Sequence, residues 1–314
     1  MTLDLGLWTL DLYAIPMKTR RVSSYKSPAD LKFVEDWIEK VQTLNNSFYK
    51  KLAVQTSFGE ISVLGLNHDR PDLDPLVILP GARTFGMYWD LNDNLTPLKD
   101  NYRLYLIDVI GQPGLSSGNS PDVKTGEFGM WVVEVLDGLG LDKTNIAGAS
   151  FGGQLAIKLA NTAPERIIKM VLLNPIGFSY ISFAPSSMFY NLLPIIRPTA
   201  KNVSRFVDHI VLAGGEGVAA ERREMLIEII LQTLQKFNFN ADLPYKMPDS
   251  ELTGWSVPTW LILGDRDALI PHQNTIKRAR AVTRDLREVH ILKNTGHGIE
   301  LSKPAIELLA KILS

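Results

Sequence analysis

One serine lies in a pattern that suits a nucleophile. Ser150 stands at the centre of Gly148-Ala149-Ser150-Phe151-Gly152, between a β-type run, Asn145–Ala149, and a helical pattern over 152–163. In a tight turn from strand to helix, glycines two residues before and after the serine leave room for the strained backbone. Such a turn presents the hydroxyl above the sheet and directs the next backbone N–H at a developing oxyanion. The bare motif would also suit a serine that only caps the helix.

Two further loops carry side chains that could activate this serine. Strand Pro258–Leu263 is followed by Asp265 and Asp267, and strand Glu288–Leu292 is followed by His297, which two glycines flank. Because the carboxyl ends of parallel strands meet at one edge of a sheet, these side chains can converge on the serine. The residues alone leave both aspartates open as the acid, and either could be an ordinary turn residue.

Short apolar strands alternate with helical patterns along most of the chain. This alternation predicts a mostly parallel sheet with helices on both faces, and a starting hairpin of Lys51–Ser57 and Glu60–Leu66 would add an antiparallel edge, giving about eight strands. Before the hairpin, Ser27 and Pro28 are typical of the cap and first residue of a helix over 27–41.

The stretch 178–252 breaks this alternation. It holds three helical patterns and no convincing strand: Met188–Ile196, Ala200–Leu212 and Ala220–Phe237. We therefore predict three parts: an N-terminal extension with a helix (1–50), an α/β core (51–177 and 253–314) and a helical insertion (178–252).

Composition narrows the class of protein. The 314 residues carry a formal net charge of -1, which does not suggest a nucleic-acid partner. The chain has no cysteine, which excludes disulfides, thiolate catalysis and cysteine-ligated zinc. A cysteine-free chain is compatible with a reducing cytosol, so we expect a cytoplasmic protein. Asp4 and Asp11 interrupt the apolar residues 1–16, which therefore predict neither a secretory signal nor a membrane span.

Together these motifs resemble the α/β-hydrolase superfamily over roughly residues 50–314. The matching segments are LVILPGARTFGMYW (76–89), LIDVIGQPGLS (106–116), IAGASFGGQLAIKLA (146–160), LILGDRDALIP (261–271) and NTGHG (294–298). The order serine, acid, histidine is also that of the superfamily. Among its subgroups, the chain is most similar to bacterial carboxylesterases of the carboxylesterase NP type.

The resemblance implies a role for each of these residues. Ser150 would be the nucleophile, His297 the general base and Asp267 the acid, since in relatives the acid usually stands three residues after the glycine. The oxyanion donors would be the backbone N–H groups of Ala82 and Phe151, and the insertion 178–252 would be the helical lid. The chain departs from the pattern at Pro80-Gly81, where many relatives carry His-Gly, which puts the hydrogen bonding of that loop in doubt. The segment 108–116 is also one residue longer than usual.

The expected reaction is hydrolysis of a small-molecule carboxylic ester, without metal or organic cofactor. Carbon–carbon bond hydrolysis, lactone cleavage, acyl transfer and perhydrolysis remain alternatives on the same scaffold, as does a non-catalytic ligand-binding role. The sequence leaves the oligomeric state open. Candidates for substrate contact are Arg83, which could bind a carboxylate or simply be exposed, and apolar residues that could equally pack the lid: Phe183, Met188, Phe189, Tyr190, Leu192, Phe206 and Met225.

Overall fold

The computed structural model describes residues 23–182, 184–214, 217–239 and 244–314. The predictions for residues 1–16 and for Phe183 therefore lie outside the described residues. Within the described ranges, no helix is long and apolar enough to cross a membrane. No group of three or more histidine, aspartate or glutamate side chains in those ranges is placed to hold a metal ion.

A central sheet organises the chain, and its main path contains eight strands. These strands are β2 (Lys50–Thr56), β3 (Gly59–Leu66), β4 (Asp74–Leu79), β5 (Tyr102–Ile107), β7 (Thr144–Ala149), β8 (Ile167–Leu173), β10 (Thr259–Gly264) and β11 (Leu286–Leu292). Their order across the sheet is β11-β10-β8-β7-β4-β5-β3-β2. Strand β2 pairs antiparallel with β3, and β3 pairs antiparallel with β5. Each remaining pair along the sheet, β5 with β4, β4 with β7, β7 with β8, β8 with β10 and β10 with β11, is parallel. The mostly parallel sheet confirms the predicted architecture.

Two short strand pairs were not predicted. Strand β6 (Ser117–Gly118) pairs with the start of β3, and β1 (Ser24–Tyr25) pairs with β9 (Phe237–Asn238). The expectation that 178–252 contains no strand is thus wrong at β9. A two-residue strand has no periodicity that a sequence pattern could reveal, and this one forms only because distant segments meet.

Helices cover both faces of the sheet. They are α1 (Pro28–Asn45), α2 (Thr96–Lys99), α3 (Glu127–Gly138), α4 (Phe151–Thr162), α5 (Pro185–Ile196), α6 (Ala200–Phe206), α7 (Ala220–Lys236), α8 (Asp249–Thr253), α9 (His272–Val282) and α10 (Lys303–Leu313). Trp131 of α3, Leu155 of α4 and Ala279 of α9 belong to the core on one face. Trp37 of α1 and Ile306 of α10 belong to the core on the other face. Strands β4 and β7 are buried between these two cores, as expected for the middle of a parallel sheet.

Helix α1 begins where the sequence predicts. The Ser27 hydroxyl accepts a hydrogen bond from Asp30 N (3.2 Å), and Pro28 is the first helical residue. The helix continues past the predicted end at Val41, as far as Asn45. The next residue, Asn46, closes the helix in the left-handed conformation, which asparagine tolerates.

The stretch 178–252 contains α5, α6, α7 and the short α8. The predicted continuous helix Ala200–Leu212 is divided, because α6 ends at Phe206 and Val207–Val211 winds as a π-helix. The insertion packs on the core through α7, whose Met225, Leu226 and Ile229 are buried beside α1. Trp37 Nε1 of α1 donates to Met225 O (3.1 Å). Whether this stretch acts as a lid stays a prediction.

Candidate active site

Ser150 occupies a strained turn between β7 and α4. Its φ of 51° and ψ of -113° lie in a region that non-glycine residues rarely adopt, at a cost of about 1–3 kcal/mol. The sheet holds this turn, because Ser150 N donates to Leu173 O (2.9 Å) and Ile176 N donates to Ser150 O (3.0 Å). A side chain at Gly152 would collide with the carbonyl oxygen of Leu79, so glycine is needed there. The predicted strand–serine–helix turn is present.

His297 lies between Ser150 and Asp267. Its Nε2 is 3.0 Å from Ser150 Oγ, and its Nδ1 is 2.8 Å from Asp267 Oδ2. The Asp267 side chain is fully buried, and its other oxygen accepts backbone hydrogen bonds from Leu269 N (2.8 Å) and Ile270 N (2.9 Å). The three side chains form one hydrogen-bonded chain in which the carboxylate is fixed by the backbone of its own loop.

The second aspartate has a different position. Asp265 Oδ1 accepts a hydrogen bond from Thr295 N (3.3 Å), which joins the loops that follow β10 and β11. The carboxylate that contacts the His297 ring is that of Asp267. Of the two aspartates, Asp267 is the one that lies against the imidazole, and its role as the acid stays a prediction.

The electrostatic surroundings of His297 favour its protonated form. Burial of the imidazole opposes protonation, but the Asp267 carboxylate, its hydrogen bond and the nearby Glu300 outweigh burial and raise the pKa of His297 above its ordinary value. Glu300 lies in the short 3₁₀ turn Ile299–Leu301, and burial raises the pKa of its own carboxyl. A carboxylate pair that stabilises an imidazolium suits a histidine that must carry a proton during a reaction.

The loop that carries the first predicted oxyanion donor lies against the serine. A Cβ on Gly81 would stand 3.5 Å from Ser150 Cβ. Ala82, the next residue in the chain, therefore lies close to the serine. Within the described ranges, no acceptor is bonded to the backbone N–H of Ala82 or of Phe151. Both N–H groups are therefore free to donate to a further acceptor.

Local hydrogen bonds hold this loop, which carries Pro80 at the position where the resemblance implied a histidine. Thr84 Oγ1 donates to Gly81 O (2.7 Å), and Arg83 N donates to the Gln112 side-chain oxygen (2.8 Å). Gln112 belongs to the segment 108–116 that is one residue longer than expected. The doubt about hydrogen bonding at Pro80-Gly81 is resolved by these contacts, because the loop is bonded both internally and to its neighbour.

A buried aspartate joins the same two loops. Asp108 Oδ1 accepts from Gly86 N (3.0 Å), and Asp108 Oδ2 accepts from Leu115 N (2.8 Å). Burial raises the pKa of Asp108 to about 6, although the two backbone hydrogen bonds oppose the rise. Asp108 fixes the spacing of the oxyanion loop and the loop that carries Gln112.

Asn174 has a similar role that the sequence analysis missed. Its Nδ2 donates to Gly296 O (3.0 Å) and His297 O (3.3 Å), and its Oδ1 accepts from Gly264 N (2.8 Å). This buried side chain ties the acid loop to the histidine loop. Its position directly after β8 is the one signal in the sequence that could have marked it.

The predicted substrate contacts fall into different environments. Met225 is buried in the core, and a role for it in substrate binding stays a prediction. Phe206 packs against the same core. On α5, Met188 is half-buried and Phe189 is 52% exposed, while Tyr190 stacks on His209 at 4.0 Å. Arg83 is half-buried, which excludes the simple exposed arginine. A role for Met188, Phe189 or Arg83 in substrate binding stays a prediction.

Known proteins are similar to this chain over most of its length. Uncharacterized carboxylesterase nap of Bacillus subtilis (strain 168) is 25% identical over 278 residues, which cover 86% of this chain and 90% of the relative. Carboxylesterase YbfK of the same organism is 25% identical over 253 residues, 80% of this chain and 82% of the relative.

The fold also matches a solved structure. The crystal structure of naproxen esterase (carboxylesterase NP) from Bacillus subtilis superposes with a TM-score of 0.78 at 22% identity, covering 92% of this chain and 100% of that one. The model of the alpha/beta hydrolase family matches residues 76–310, a span that includes the serine, the aspartate and the histidine described above. On this evidence the chain belongs to the alpha/beta hydrolase family.

Proposed function

We propose that this protein is a serine hydrolase that cleaves carboxylic esters through an acyl-enzyme intermediate. The observation that carries the proposal is the continuous chain from Ser150 Oγ through His297 to Asp267, with spacings of 3.0 Å and 2.8 Å. Two relatives that are named carboxylesterases support an ester as the substrate.

The proposed reaction has the following proton path. His297 Nε2 accepts the proton of Ser150 as Oγ attacks the carbonyl carbon, and the imidazolium then gives this proton to the departing alcohol. Asp267 holds Nδ1 protonated and stabilises the imidazolium. Water next attacks the acyl-enzyme with His297 as base, which releases the acid and restores the serine.

The tetrahedral intermediates carry a negative oxygen that needs donors. The free N–H groups of Ala82 and Phe151 would supply two hydrogen bonds, and each such donor is worth about 10²–10³ in rate. The bonds of Asp108 to Gly86 N and of Gln112 to Arg83 N support the proposal, because they hold the loop that carries the proposed donor Ala82. Such preorganisation is the main way in which a rigid site lowers a barrier.

Labelling with a fluorophosphonate, followed by mass mapping, tests the nucleophile. We expect a single adduct on Ser150, and we expect Ser150→Ala to lose both the adduct and the turnover of p-nitrophenyl butyrate. The matched control is Ser250→Ala, since Ser250 is exposed on α8 and should leave labelling unchanged. Unchanged turnover by Ser150→Ala would refute the assignment.

Other acyl chemistries use the same groups, and a panel separates them. Lactones, diketones, and esters supplied with an alcohol or hydrogen peroxide as acceptor would report lactonase, carbon–carbon hydrolase, transferase or perhydrolase activity. We expect simple esters to have the highest kcat/KM. A protein that binds esters but neither labels nor turns over any member of the panel would instead be a ligand-binding homologue.

A further inference from the structure

Arg83 stands beside the proposed oxyanion donor in an unusual conformation. It follows Ala82 directly and has a φ of 64°, in the left-handed region that arginine seldom adopts. Its backbone N–H is held by the Gln112 side-chain oxygen at 2.8 Å. The loop thus fixes the backbone of Arg83 two residues from Gly81, which lies against Ser150.

The guanidinium group is partly withdrawn from water. The side chain is half-buried, and burial lowers the pKa of Arg83 below its ordinary value. A desolvated guanidinium is unfavourable unless an anion or several acceptors replace its hydration. An arginine in this state is therefore normally paired with a carboxylate or bonded to backbone carbonyls.

The buried aspartates of the candidate site have other partners. Asp108 accepts from Gly86 N and Leu115 N, and Asp267 accepts from its own loop and from His297. Among the residues that the structure describes, no carboxylate forms an ion pair with Arg83, and no acceptor is bonded to its guanidinium. The described residues thus leave a half-buried cation without an anion, on a loop whose Gly81 lies against Ser150.

We propose that Arg83 binds a carboxylate of the substrate, so that the preferred esters carry a free carboxylate near the scissile bond. The guanidinium fork matches the two oxygens of a carboxylate, and the pair is strongest where water is partly excluded. The substrate class would be half-esters of dicarboxylic acids, or esters of an alcohol that bears a carboxylate. The inference rests on the proposed function, because it assigns a substrate to the Ser150 site.

Matched substrate pairs test this without any variant. Mono-p-nitrophenyl succinate, glutarate and adipate are each compared with the methyl p-nitrophenyl diester, and 4-acetoxybenzoate is compared with its methyl ester. We expect at least one free carboxylate to raise kcat/KM tenfold or more over its methyl-capped partner. The acyl-side and alcohol-side pairs show which part of the ester carries the anion. Equal kcat/KM within every pair would overturn the proposal.

Variants then locate the effect. Arg83→Gln should reduce the preference for the carboxylate tenfold or more, and Arg83→Lys should restore part of it. Arg287→Gln is the control, because Arg287 is exposed and paired with Asp285. A preference that survives in Arg83→Gln would overturn the role of Arg83.

A binding measurement separates this proposal from the proposed function. Titration calorimetry with Ser150→Ala and the intact half-esters needs no turnover. Tighter binding of the free carboxylate in Ser150→Ala, lost in Ser150→Ala/Arg83→Gln, would support the Arg83 site even if the wild-type protein hydrolysed none of these esters. Equal affinity for the two members of every pair would refute the site even if the neutral esters were hydrolysed.

Discussion

Ser150 and His297 are held by different sets of contacts. The serine turn is bonded to the sheet, because Ser150 N donates to Leu173 O of β8 (2.9 Å). Gly148 and Gly152, on either side of it, are in close contact with neighbouring backbone. The strand before it and the helix after it are largely buried. This side of the site is part of the core and shares its rigidity.

The histidine loop is held by the core through Asn174 and, in addition, by the insertion. His297 N donates to Ile210 O (2.9 Å), and Gly298 N donates to Val211 O (3.0 Å), both in the π-helical turn that follows α6. A displacement of this turn would move the base away from a nucleophile that stays in place. The comparison teaches that the core fixes the hydroxyl of Ser150, the proposed nucleophile, whereas the alignment of His297, the proposed base, depends on the insertion as well.

The largest effect on kcat/KM should come from a change at Asp267, the proposed acid, which contacts the His297 ring. Asp267→Asn should lower kcat/KM by about 10⁴-fold, because the amide favours the wrong imidazole tautomer. Asp265→Asn is the matched control and should change kcat/KM only a few-fold, since Asp265 bonds to Thr295 N. Steady-state kinetics on a p-nitrophenyl ester measure both, and equal losses would contradict the assignment of the acid.

On the core side, Gly152→Ala should damage folding and activity together. The new methyl group would meet Leu79 O and Pro80 O, so we expect a loss of about 3 kcal/mol in the free energy of unfolding. Urea denaturation measures it. Gly126→Ala is the control, because nothing lies within 4 Å of a Cβ there. A fully stable Gly152→Ala variant would show that the turn is less constrained than the contacts indicate.

On the insertion side, Gly296→Ala should affect activity more than stability. A Cβ there would stand 2.6 Å from Ala213 N and 2.9 Å from Ile210 O. Because these contacts are too close, the histidine loop would have to move away from the insertion. We expect kcat/KM to fall about 10- to 100-fold through misplacement of the base, with a loss of only about 1–2 kcal/mol in stability. If Gly296→Ala unfolded as readily as Gly152→Ala, the contrast between the two sides would fail.

The smallest effect concerns the pH profile. Glu300 helps to raise the pKa of His297, so Glu300→Gln should lower that pKa. Since the base must be neutral to accept a proton, kcat/KM falls as the pH drops below the histidine pKa, and the acid limb should move to lower pH. Glu307→Gln, an exposed change on α10, should leave the profile in place. A shift to higher pH would contradict the sign.

Much of the fold and of the candidate site could be predicted from local patterns. The alternation of apolar strands and helices predicts the parallel sheet, and the strand–serine–helix spacing predicts the turn at Ser150. Ser27 and Pro28 predict the start of α1. These features depend on periodicity, on backbone strain and on caps, which act over a few residues and leave a signal in the sequence.

Long-range contacts left no such signal. Periodicity and turn chemistry do not separate Asp267 from Asp265, which only the spacing in related proteins favoured. Nor do they show that Asn174 joins two loops or that Met225 lies in the core. The pairing of β1 with β9 joins segments that are more than 200 residues apart in the chain.

The sequence by itself determined the types of the reacting groups and the strands that carry them, because hydrophobic burial and turn chemistry are encoded residue by residue. Only the tertiary structure decided which aspartate meets the imidazole, what supports the histidine loop and whether Arg83 has a partner. These are distances between loops from remote parts of the chain, and a distance of about 3 Å for a hydrogen bond follows from packing of the whole molecule rather than from any local pattern.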